Sequence, residues 1–375
     1  MADIYGSVHT RSTGGNYVDI VEDLSSAIRY GNLYEVPFYA NLPVIGAIDT
    51  THKWTTDAPH TLTGSMNTIL KGSAGATTLT ATALTYDHVR VGHILRVASE
   101  WMRVTAVSST AVTVTRGYAG TTRTTHATTT TFTIVDDSHA ESSTGTAHST
   151  VFSEVTNQCQ IFKNIIQMSR TRRGVTSVAG DVWAHQTLKQ MKEHARMIER
   201  ALLHGKIGTA TANTSARHSR GIVDAISTTR HTTTTSITAT RLNNFFRAID
   251  EAGGNPSVIL ADGVAIQHIN ELNLGYINVG SFDMDMATLG GIRATRWVSP
   301  WGVMALMPCR QLGSPIGATG NLVALTWEEC KLAVIDDGKY EPLGKTGDFD
   351  QAQIVSELCL EWGNENYHGV MLNHT

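Results

Sequence analysis

The sequence has little cysteine, proline or charge, and it has no long apolar run. Of 375 residues, 4 are cysteine, 8 are proline and 17% are charged. No CxxC pair or close Cys/His cluster is present, which argues against a zinc knuckle or a disulfide framework and favours a reducing cytoplasm. No apolar stretch approaches the roughly 20 residues of a membrane helix. We also expect no secretory signal, because Met1 is followed by neither a basic nor an apolar leader.

The overall composition is typical of a folded chain with a small net charge. Hydrophobic residues make up 41% and the formal net charge is −4, so neither disorder nor general polyanion binding is expected. Threonine is conspicuous, clustered between Thr51 and Thr156 and again between Thr209 and Thr240. Because threonine is β-branched and carries a hydroxyl group, it suits a pleated surface that faces water.

Residues 75–135 have the pattern of a small all-β unit. Short β-branched runs with period-two alternation, such as 102–107 and 111–116, are separated by Gly92, Ser108-Ser109 and Gly117. This pattern predicts strands with one wet face. The Thr-rich tract 121–133 is expected to be an exposed loop or an edge strand.

A long helix is predicted over residues 181–204. Asp181 can cap its start, Gly205 can end it, and the apolar residues between them recur at steps of four and three. These are Ala184, Leu188, Met191, Ala195, Ile198 and Leu202. Charged residues, including Glu199, are assigned to the other faces. Packing against a sheet or a neighbouring element is the favoured interpretation.

The rest of the chain is predicted to be α+β. Residues 36–43 are expected to be extended, because Pro37 and Pro43 disfavour the helical conformation in the residues before them. Helices are predicted after Thr240, ending at Gly253-Gly254, and after Asp262, with strands filling much of 258–372. The sequence Asp336-Asp337-Gly338 is typical of a hairpin turn.

The search for catalytic motifs is negative. The sequence has no GxxxxGK[ST], no strand-borne GxGxxG, no GxSxG and no HExxH. His185 and His194 lie on opposite faces of the long helix and cannot share a metal. No nucleophile, base and oxyanion donor occur together. We therefore expect no enzyme, no cofactor and no metal, and the residues alone favour a structural or interaction protein.

Several residues are candidates for contacts between molecules. Asp283 and Asp285 could bind a cation or act as acid and base, although turn-forming aspartate is the simpler interpretation. The cluster of Arg170, Arg172 and Arg173 could engage phosphates, but an ion pair between subunits is preferred. The tryptophans, Trp54 and Trp301 among them, are interpreted as core or interface anchors.

Three stretches, 36–57, 91–117 and 347–369, resemble the major capsid protein of tailed bacteriophages with the Hong Kong 97-type fold. Their order carries the resemblance: an arm, a Thr-rich β excursion, a long helix and late return strands. Within that superfamily, the chain is similar to the subgroup with a β-barrel inserted in the extended loop.

The resemblance implies a division of the chain into five parts. These are an N-terminal arm at 1–53, an extended loop at 54–180 with its β insertion at about 75–135, a spine helix and peripheral domain at 181–240, an axial domain at 241–320, and peripheral return strands at 321–375. Inter-subunit contacts are expected at Phe38, Trp54, Arg170, Arg172, Arg173, Asp283, Asp285 and Trp301.

The implied function is a shell protein that assembles in the host bacterial cytoplasm. Hexamers and pentamers would form an icosahedral or prolate head around double-stranded DNA, with weak non-specific DNA contact and no membrane. Decoration, scaffolding and portal proteins are further expected partners. The alternatives are an encapsulin-like compartment shell, a virion fibre or decoration protein, and, least favoured, a hydrolase that uses Asp283 and Asp285.

Overall fold

The structure, a computed structural model, describes residues 36–57, 62–66, 78–80, 88–108, 111–141, 152–175, 181–208, 215–232, 235–274, 288–289, 292–293, 295–313 and 320–373. The chain forms two compact units. The main unit holds the described residues up to Trp54 and from Val155 onward, and the β unit spans Thr55–Glu154. Within the described ranges, no helix is both long and apolar enough to cross a membrane.

The described residues of the two units form helices and strands. The helices are α1 (Pro37–Asn41), α2 (Arg170–Gly174), α3 (Val182–His204), α4 (Ile222–Ala225), α5 (Ala239–Glu251), α6 (Gly263–Leu274) and α7 (Arg310–Gly313). The strands are β1 (Val44–Gly46), β2 (Thr51–Thr56), β3 (Thr63–Ser65), β4 (Thr78–Thr80), β5 (His93–Val97), β6 (Glu100–Val107), β7 (Ala111–Arg116), β8 (Thr131–Asp137), β9 (Ser153–Gln158), β10 (Gln160–Ser169), β11 (Arg230–Thr232), β12 (Val258–Ala261), β13 (Thr288–Leu289), β14 (Ile292–Arg293), β15 (Thr295–Ser299), β16 (Gly302–Pro308), β17 (Leu322–Leu325), β18 (Lys331–Leu343), β19 (Phe349–Glu361) and β20 (Gly369–Leu372). The predicted α+β class is confirmed.

The long helix α3 begins and ends where the sequence predicts. The side chain of Asp181 accepts hydrogen bonds from the backbone N–H groups of Trp183 and Ala184. At the other end, Gly205 has φ of −56°, so it does not adopt the left-handed conformation that often ends a helix. Glycine is required there for space, because a Cβ atom would collide with the carbonyl oxygen of Ser219.

The six-stranded sheet of the main unit is covered on both faces. Its strand order is β11-β20-β17-β12-β16-β15. Successive residues of β12 enter different cores: Leu260 packs in the core that includes Leu202 of α3, and Ile259 packs in the core that includes Phe245 of α5. All four residues of β12 are therefore buried, which explains why this strand is a continuous apolar run.

A second sheet of the main unit has the order β1-β18-β19-β10. The predicted hairpin turn at Asp336-Asp337-Gly338 is wrong, because these residues lie inside β18. The register between β18 and β19 shifts on both sides of Asp336. The segment is a bulge, where extra residues are accommodated by a local kink in one strand. The chain instead reverses between β18 and β19, at residues 344–348.

Helices α5 and α6 lie close to their predicted positions. The start of α5 is two residues earlier than expected, since Thr238 rather than Thr240 caps it, accepting a hydrogen bond from the backbone N–H of Arg241 at 3.4 Å. Asp262 caps α6 as predicted, with Oδ1 accepting from the backbone N–H of Ala265 at 2.8 Å. The buried residues of α5 are Leu242, Phe245, Phe246 and Ile249.

The prediction of an extended segment at 36–43 is wrong over most of its length. Residues Pro37–Asn41 form α1, with proline at its start. Proline suits the first helical position, because its φ is already helical and its missing N–H would have no partner there. Leu42, which precedes Pro43, has the predicted extended backbone, with ψ of 134°.

The β unit contains an antiparallel sheet with the order β3-β8-β5-β6-β7-β4. Along β6, the buried side chains of Met102 and Val104 alternate with the partly exposed side chains of Trp101 and Arg103. This is the alternation that the sequence predicts for a strand with one wet face. The described pairings do not join β3 to β4, so closure of the sheet into a barrel remains a prediction.

Candidate assembly surfaces

The apolar stripe of α3 is buried over only part of its length. Near the C-terminus, Ile198 and Leu202 are almost completely buried in the main core. Toward the N-terminus, Leu188 is 60% exposed and Met191 is 40% exposed. We call Ala184, Leu188 and Met191 the helix stripe. An apolar row that stays exposed on an ordered helix marks a surface for interaction.

Two further exposed apolar side chains lie on β10, the edge strand of the four-stranded sheet. Phe162 and Ile166 point into the main unit and are buried, whereas Ile161 and Ile165 point outward and are 54% and 51% exposed. Successive side chains of a strand alternate between its faces, so Ile161 and Ile165 share the outer face of β10 with Lys163 and Gln167. This face is therefore mixed, with two isoleucines among polar side chains.

A buried carboxylate on α3 holds the start of α1. Glu199 Oε1 accepts a hydrogen bond from the backbone N–H of Phe38 at 3.1 Å, and Oε2 accepts one from Tyr39 at 2.6 Å. Burial raises the pKa of Glu199 to about 7, although these N–H groups and the Cys309 thiol favour the charged form. The assignment of Glu199 to a polar face of the helix is therefore wrong.

The sequence contains a signal for this burial. Glu199 lies four residues after Ala195 and three and four residues before Leu202 and Leu203, so it sits among apolar positions of one helix face. A charged residue within such a row predicts a buried polar contact. The partner, a pair of backbone N–H groups about 160 residues earlier in the chain, could not be read from the pattern.

Phe38 and Trp54, two predicted contact residues, pack within their own chain. Phe38 is fully buried in the main core, which leaves it no exposed side chain for a neighbour. The Trp54 ring meets the Trp362 ring edge-on at 4.8 Å between centroids, and Trp54 Nε1 donates to the carbonyl oxygen of Gly363 at 2.9 Å. Both side chains therefore pack within the main unit, and a contact of either with a neighbouring subunit stays a prediction.

The arginine cluster lies on α2 and forms ion pairs within the main unit. Arg170 contacts Asp348 at 2.8 Å, and Arg173 contacts Asp350. Aspartates at the start of β19 thus pair with these two arginines inside the chain, and an ion pair between subunits stays a prediction for the cluster. Arg172 is exposed and remains a candidate for a contact between molecules.

The other predicted contact residues lie in or near the segment 241–320. Trp301 is partly buried against the second core and its backbone N–H donates to Ser299 Oγ at 3.2 Å. Asp283 and Asp285 lie outside the described residues. Within the ranges that are described, no group of three His, Cys, Asp or Glu side chains is placed to hold a metal ion.

Three hydrogen-bonded polar side chains in the main unit follow the order of a hydrolase catalytic triad. His194 Nε2 lies 2.8 Å from Ser356 Oγ, and His194 Nδ1 lies 3.2 Å from Asn164 Oδ1. The Asn164 amide donates to Gln190, so its Oδ1 accepts from His194, and Nε2 then accepts from the serine hydroxyl. Ser356 is fully buried, so no substrate can reach its oxygen. These hydrogen bonds connect α3 to β10 and β19.

The β unit contains a buried ion cluster in addition to its hydrophobic core. Arg116 forms a two-pronged contact with Glu100, at 2.9 and 2.7 Å, and His126 lies 2.9 Å from the same carboxylate. Burial acts to raise the pKa of Glu100, but the bonds from Arg116, the Thr124 backbone N–H and His126 outweigh it and lower the pKa to about 2. The cluster fixes the Thr-rich loop after β7, and no sequence motif predicts it.

Comparison with known proteins identifies the class to which this fold belongs. The family model of the SU10 major capsid protein matches residues 7–375, so the chain belongs to the SU10 major capsid protein family. It is accordingly a structural protein of the phage virion capsid, as the resemblance predicted. No curated protein matches the sequence.

Solved structures support the capsid fold. The protein of Microbacterium phage Oxtober96 is 12% identical, with 94% of this chain and 95% of that chain covered and a TM-score of 0.50. The capsid of the empty GTA particle gives 8% identity, 98% and 100% coverage and a TM-score of 0.53. The capsid of Myoviridae phage XM1 gives 8% identity, 98% and 99% coverage and a TM-score of 0.51. At these identities the likeness concerns the fold.

Proposed function

We propose that many copies of this chain assemble into hexamers and pentamers of a closed icosahedral or prolate head that encloses double-stranded DNA. The observation that carries the proposal is the helix stripe, because a member of a capsid protein family leaves Leu188 and Met191 exposed on a rigid helix. Covering these side chains in a neighbouring copy removes apolar area from water and stabilises the assembly. Stability then accumulates over many equivalent contacts.

The five-part division of the chain belongs to this proposal. An arm at 1–53 and an extended loop at 54–180 reach neighbouring subunits, while 181–240 and 321–375 form the peripheral domain and 241–320 the axial domain. The separate compactness of the β unit, Thr55–Glu154, supports an excursion from the main unit within the extended loop. We place Asp283, Asp285 and Trp301 near the centres of the rings, and Arg172 at a contact between subunits.

The charge of the chain supports a container rather than a DNA-binding protein. The formal net charge is −4, so attraction to packaged DNA is weak and non-specific. We expect no enzymatic activity, because the buried Ser356 cannot meet a substrate. Scaffolding, decoration and portal proteins are further partners of such a head, and assembly takes place in the host bacterial cytoplasm.

The proposal is tested by measuring the mass of the purified full-length protein by light scattering coupled to size exclusion. The wild type is expected to form rings or megadalton particles. Leu188→Asp should remain folded and shift the distribution toward single chains, because a charge in the covered stripe cannot be buried cheaply. Leu188→Met is the matched control, since it keeps the apolar area and should assemble like the wild type.

Two outcomes would contradict parts of this proposal, and a third would favour an alternative function. A wild type that stays near 40.5 kDa under every condition contradicts assembly. Leu188→Asp particles equal in yield and size to the wild type contradict the role of the helix stripe. Purified particles that enclose an enzyme instead of DNA favour the compartment alternative.

A further inference from the structure

Two cysteines that are 200 residues apart in the sequence meet inside the main unit. Cys159 follows β9 and Cys359 lies on β19, and their sulfur atoms are 3.1 Å apart. Both side chains are completely buried. They form, with Ala333, a small cluster separate from the main core. Cys330, another buried cysteine, has no sulfur partner in any described contact.

The backbone at this pair has the geometry that a disulfide needs. Gln160 is paired with Leu358 in the antiparallel ladder, so Cys159 and Cys359 are opposite each other in the next position. The Cys159 N–H donates to Thr50 at 2.8 Å and its carbonyl accepts from Arg217 at 3.1 Å, so neither group bonds to β19. Opposed residues of such non-hydrogen-bonded pairs have Cα atoms about 4.5 Å apart, within the span that a disulfide bridges.

The cover over the two thiols is thin. Ile45, inside the three-residue strand β1, and Ala47, just after it, are the partly buried side chains that pack against the cluster. The next residue, Ile48, is fully exposed, and Val44 is 66% exposed. A short segment with few apolar contacts opens locally far more often than the whole domain unfolds. Small oxidants can therefore reach the pair without unfolding of the main unit.

We infer that Cys159 and Cys359 are a redox-controlled modification site, reduced in the cell and joined by a disulfide after exposure to an oxidising exterior. With a small-molecule disulfide as oxidant, one protein thiolate attacks it and releases one small thiol. The second protein thiolate then attacks the mixed disulfide and releases the other small thiol. The protein loses two electrons and two protons, and the oxidant is reduced to two thiols.

The disulfide acts as a staple at the point where the chain returns from the β unit to the main unit. It joins β19 to the start of β10 and closes a loop of about 200 residues, which restricts the unfolded chain strongly. The timing of oxidation rests on the proposed function, because only a virion protein assembled in the cytoplasm passes from a reducing to an oxidising environment. The thiol chemistry itself does not depend on assembly.

The test treats the native full-length protein with oxidised glutathione and maps peptides by mass spectrometry without reduction. We expect a linked peptide containing Cys159 and Cys359, lower in mass by two hydrogen atoms. The thermal midpoint should rise by roughly 5 °C or more, with reversal by a reducing agent. Cys359→Ser should abolish both effects, and Cys330→Ser, a buried cysteine outside the pair, should retain both.

Two results would overturn the inference. One is that both thiols remain unlinked after native oxidation while unfolded control protein forms the bond. The other is a linked protein with the thermal midpoint of the reduced form. Light scattering on the same samples reports assembly separately, so a failure of shell formation is distinguishable from a failure of disulfide formation.

Discussion

The backbone N–H of Tyr39 donates a 2.6 Å hydrogen bond to Oε2 of Glu199, joining α1 to α3 across 160 residues of sequence. The second carboxylate oxygen takes the neighbouring N–H of Phe38, so both oxygens are used. This contact fixes α1, the first described element of the chain, against α3. A carboxylate in the apolar row of α3 thus positions residues 37–41.

Glu199 gives the stability of the main unit a defined pH dependence. Burial raises its pKa from 4.5 to about 7, so between these values the folded chain holds a proton that the unfolded chain has released. The stabilisation is complete below pH 4.5 and is lost as pH rises through 7, by roughly 3 kcal/mol. Urea unfolding from pH 4.5 to 8 should show this loss in the wild type and a flatter profile in Glu199→Gln.

A matched substitution separates this effect from a general change in charge. Glu193→Gln lies on the same helix, but Glu193 is about one-third exposed and faces Arg196 at 4.0 Å. Its pH profile should follow the wild type. Identical pH profiles for Glu199→Gln and the wild type would contradict the assigned role of Glu199.

Glu100 should be the residue on which the β unit depends most strongly. Glu100→Gln leaves Arg116 buried without its counter-charge, a change that costs about 3–5 kcal/mol. Native-state hydrogen exchange should report faster opening of β5, β6 and β7, with little change in the main unit. Glu141→Gln, an exposed carboxylate of the same unit, is the control and should exchange like the wild type.

The same cluster predicts sensitivity to acid. The pKa of Glu100 is lowered to about 2, so its contribution is complete above pH 4.5 and is lost as pH falls toward 2. Exchange in the β unit should therefore accelerate below pH 4 in the wild type more than in Glu100→Gln. Equal acceleration in the two proteins would remove Glu100 as the cause.

Ser356 is expected to serve stability and not catalysis. Its oxygen accepts from the backbone N–H of Gly338 at 3.1 Å and its hydroxyl faces His194. Ser356→Ala leaves Nε2 of the buried His194 without its partner and should lower the free energy of unfolding by about 1–3 kcal/mol. Ser236→Ala, at an exposed serine, should change it little. Unchanged stability, or loss of a hydrolytic activity in Ser356→Ala, would contradict a structural role.

The sequence patterns with local causes predicted the fold well. The step pattern of α3 and the cap at Asp181 located a 23-residue helix, because periodicity and capping are properties of adjacent residues. The alternation of buried and exposed side chains along β6 is also a property of adjacent residues, and the sequence predicts it. The hairpin turn predicted at Asp336-Asp337-Gly338 is wrong, because pairing with a distant strand overrides the local preference. These residues favour a turn locally, but the hydrogen-bonded ladder to β19 holds them within a strand.

The candidate contact residues were harder to predict, because a sequence does not distinguish burial within a chain from burial between chains. Phe38 and Trp54, two candidates for contacts between subunits, pack in their own core. Arg170 and Arg173 pair with Asp348 and Asp350, at the start of β19, nearly 180 residues later. By contrast, the sequence places Leu188 on an apolar stripe that is expected to pack against another element, but its side chain is mostly exposed. The residues around Leu188 do not indicate how far along α3 the packed elements extend.

A cryo-electron microscopy map of the assembled full-length protein tests the central claim most directly. The account predicts a closed shell with hexamers and pentamers, in which a neighbouring copy covers Leu188 and Met191 of each α3. A closed shell in which both side chains still face solvent would contradict the role of the helix stripe, and a protein that only ever yields single 40.5 kDa chains would contradict the assembly itself.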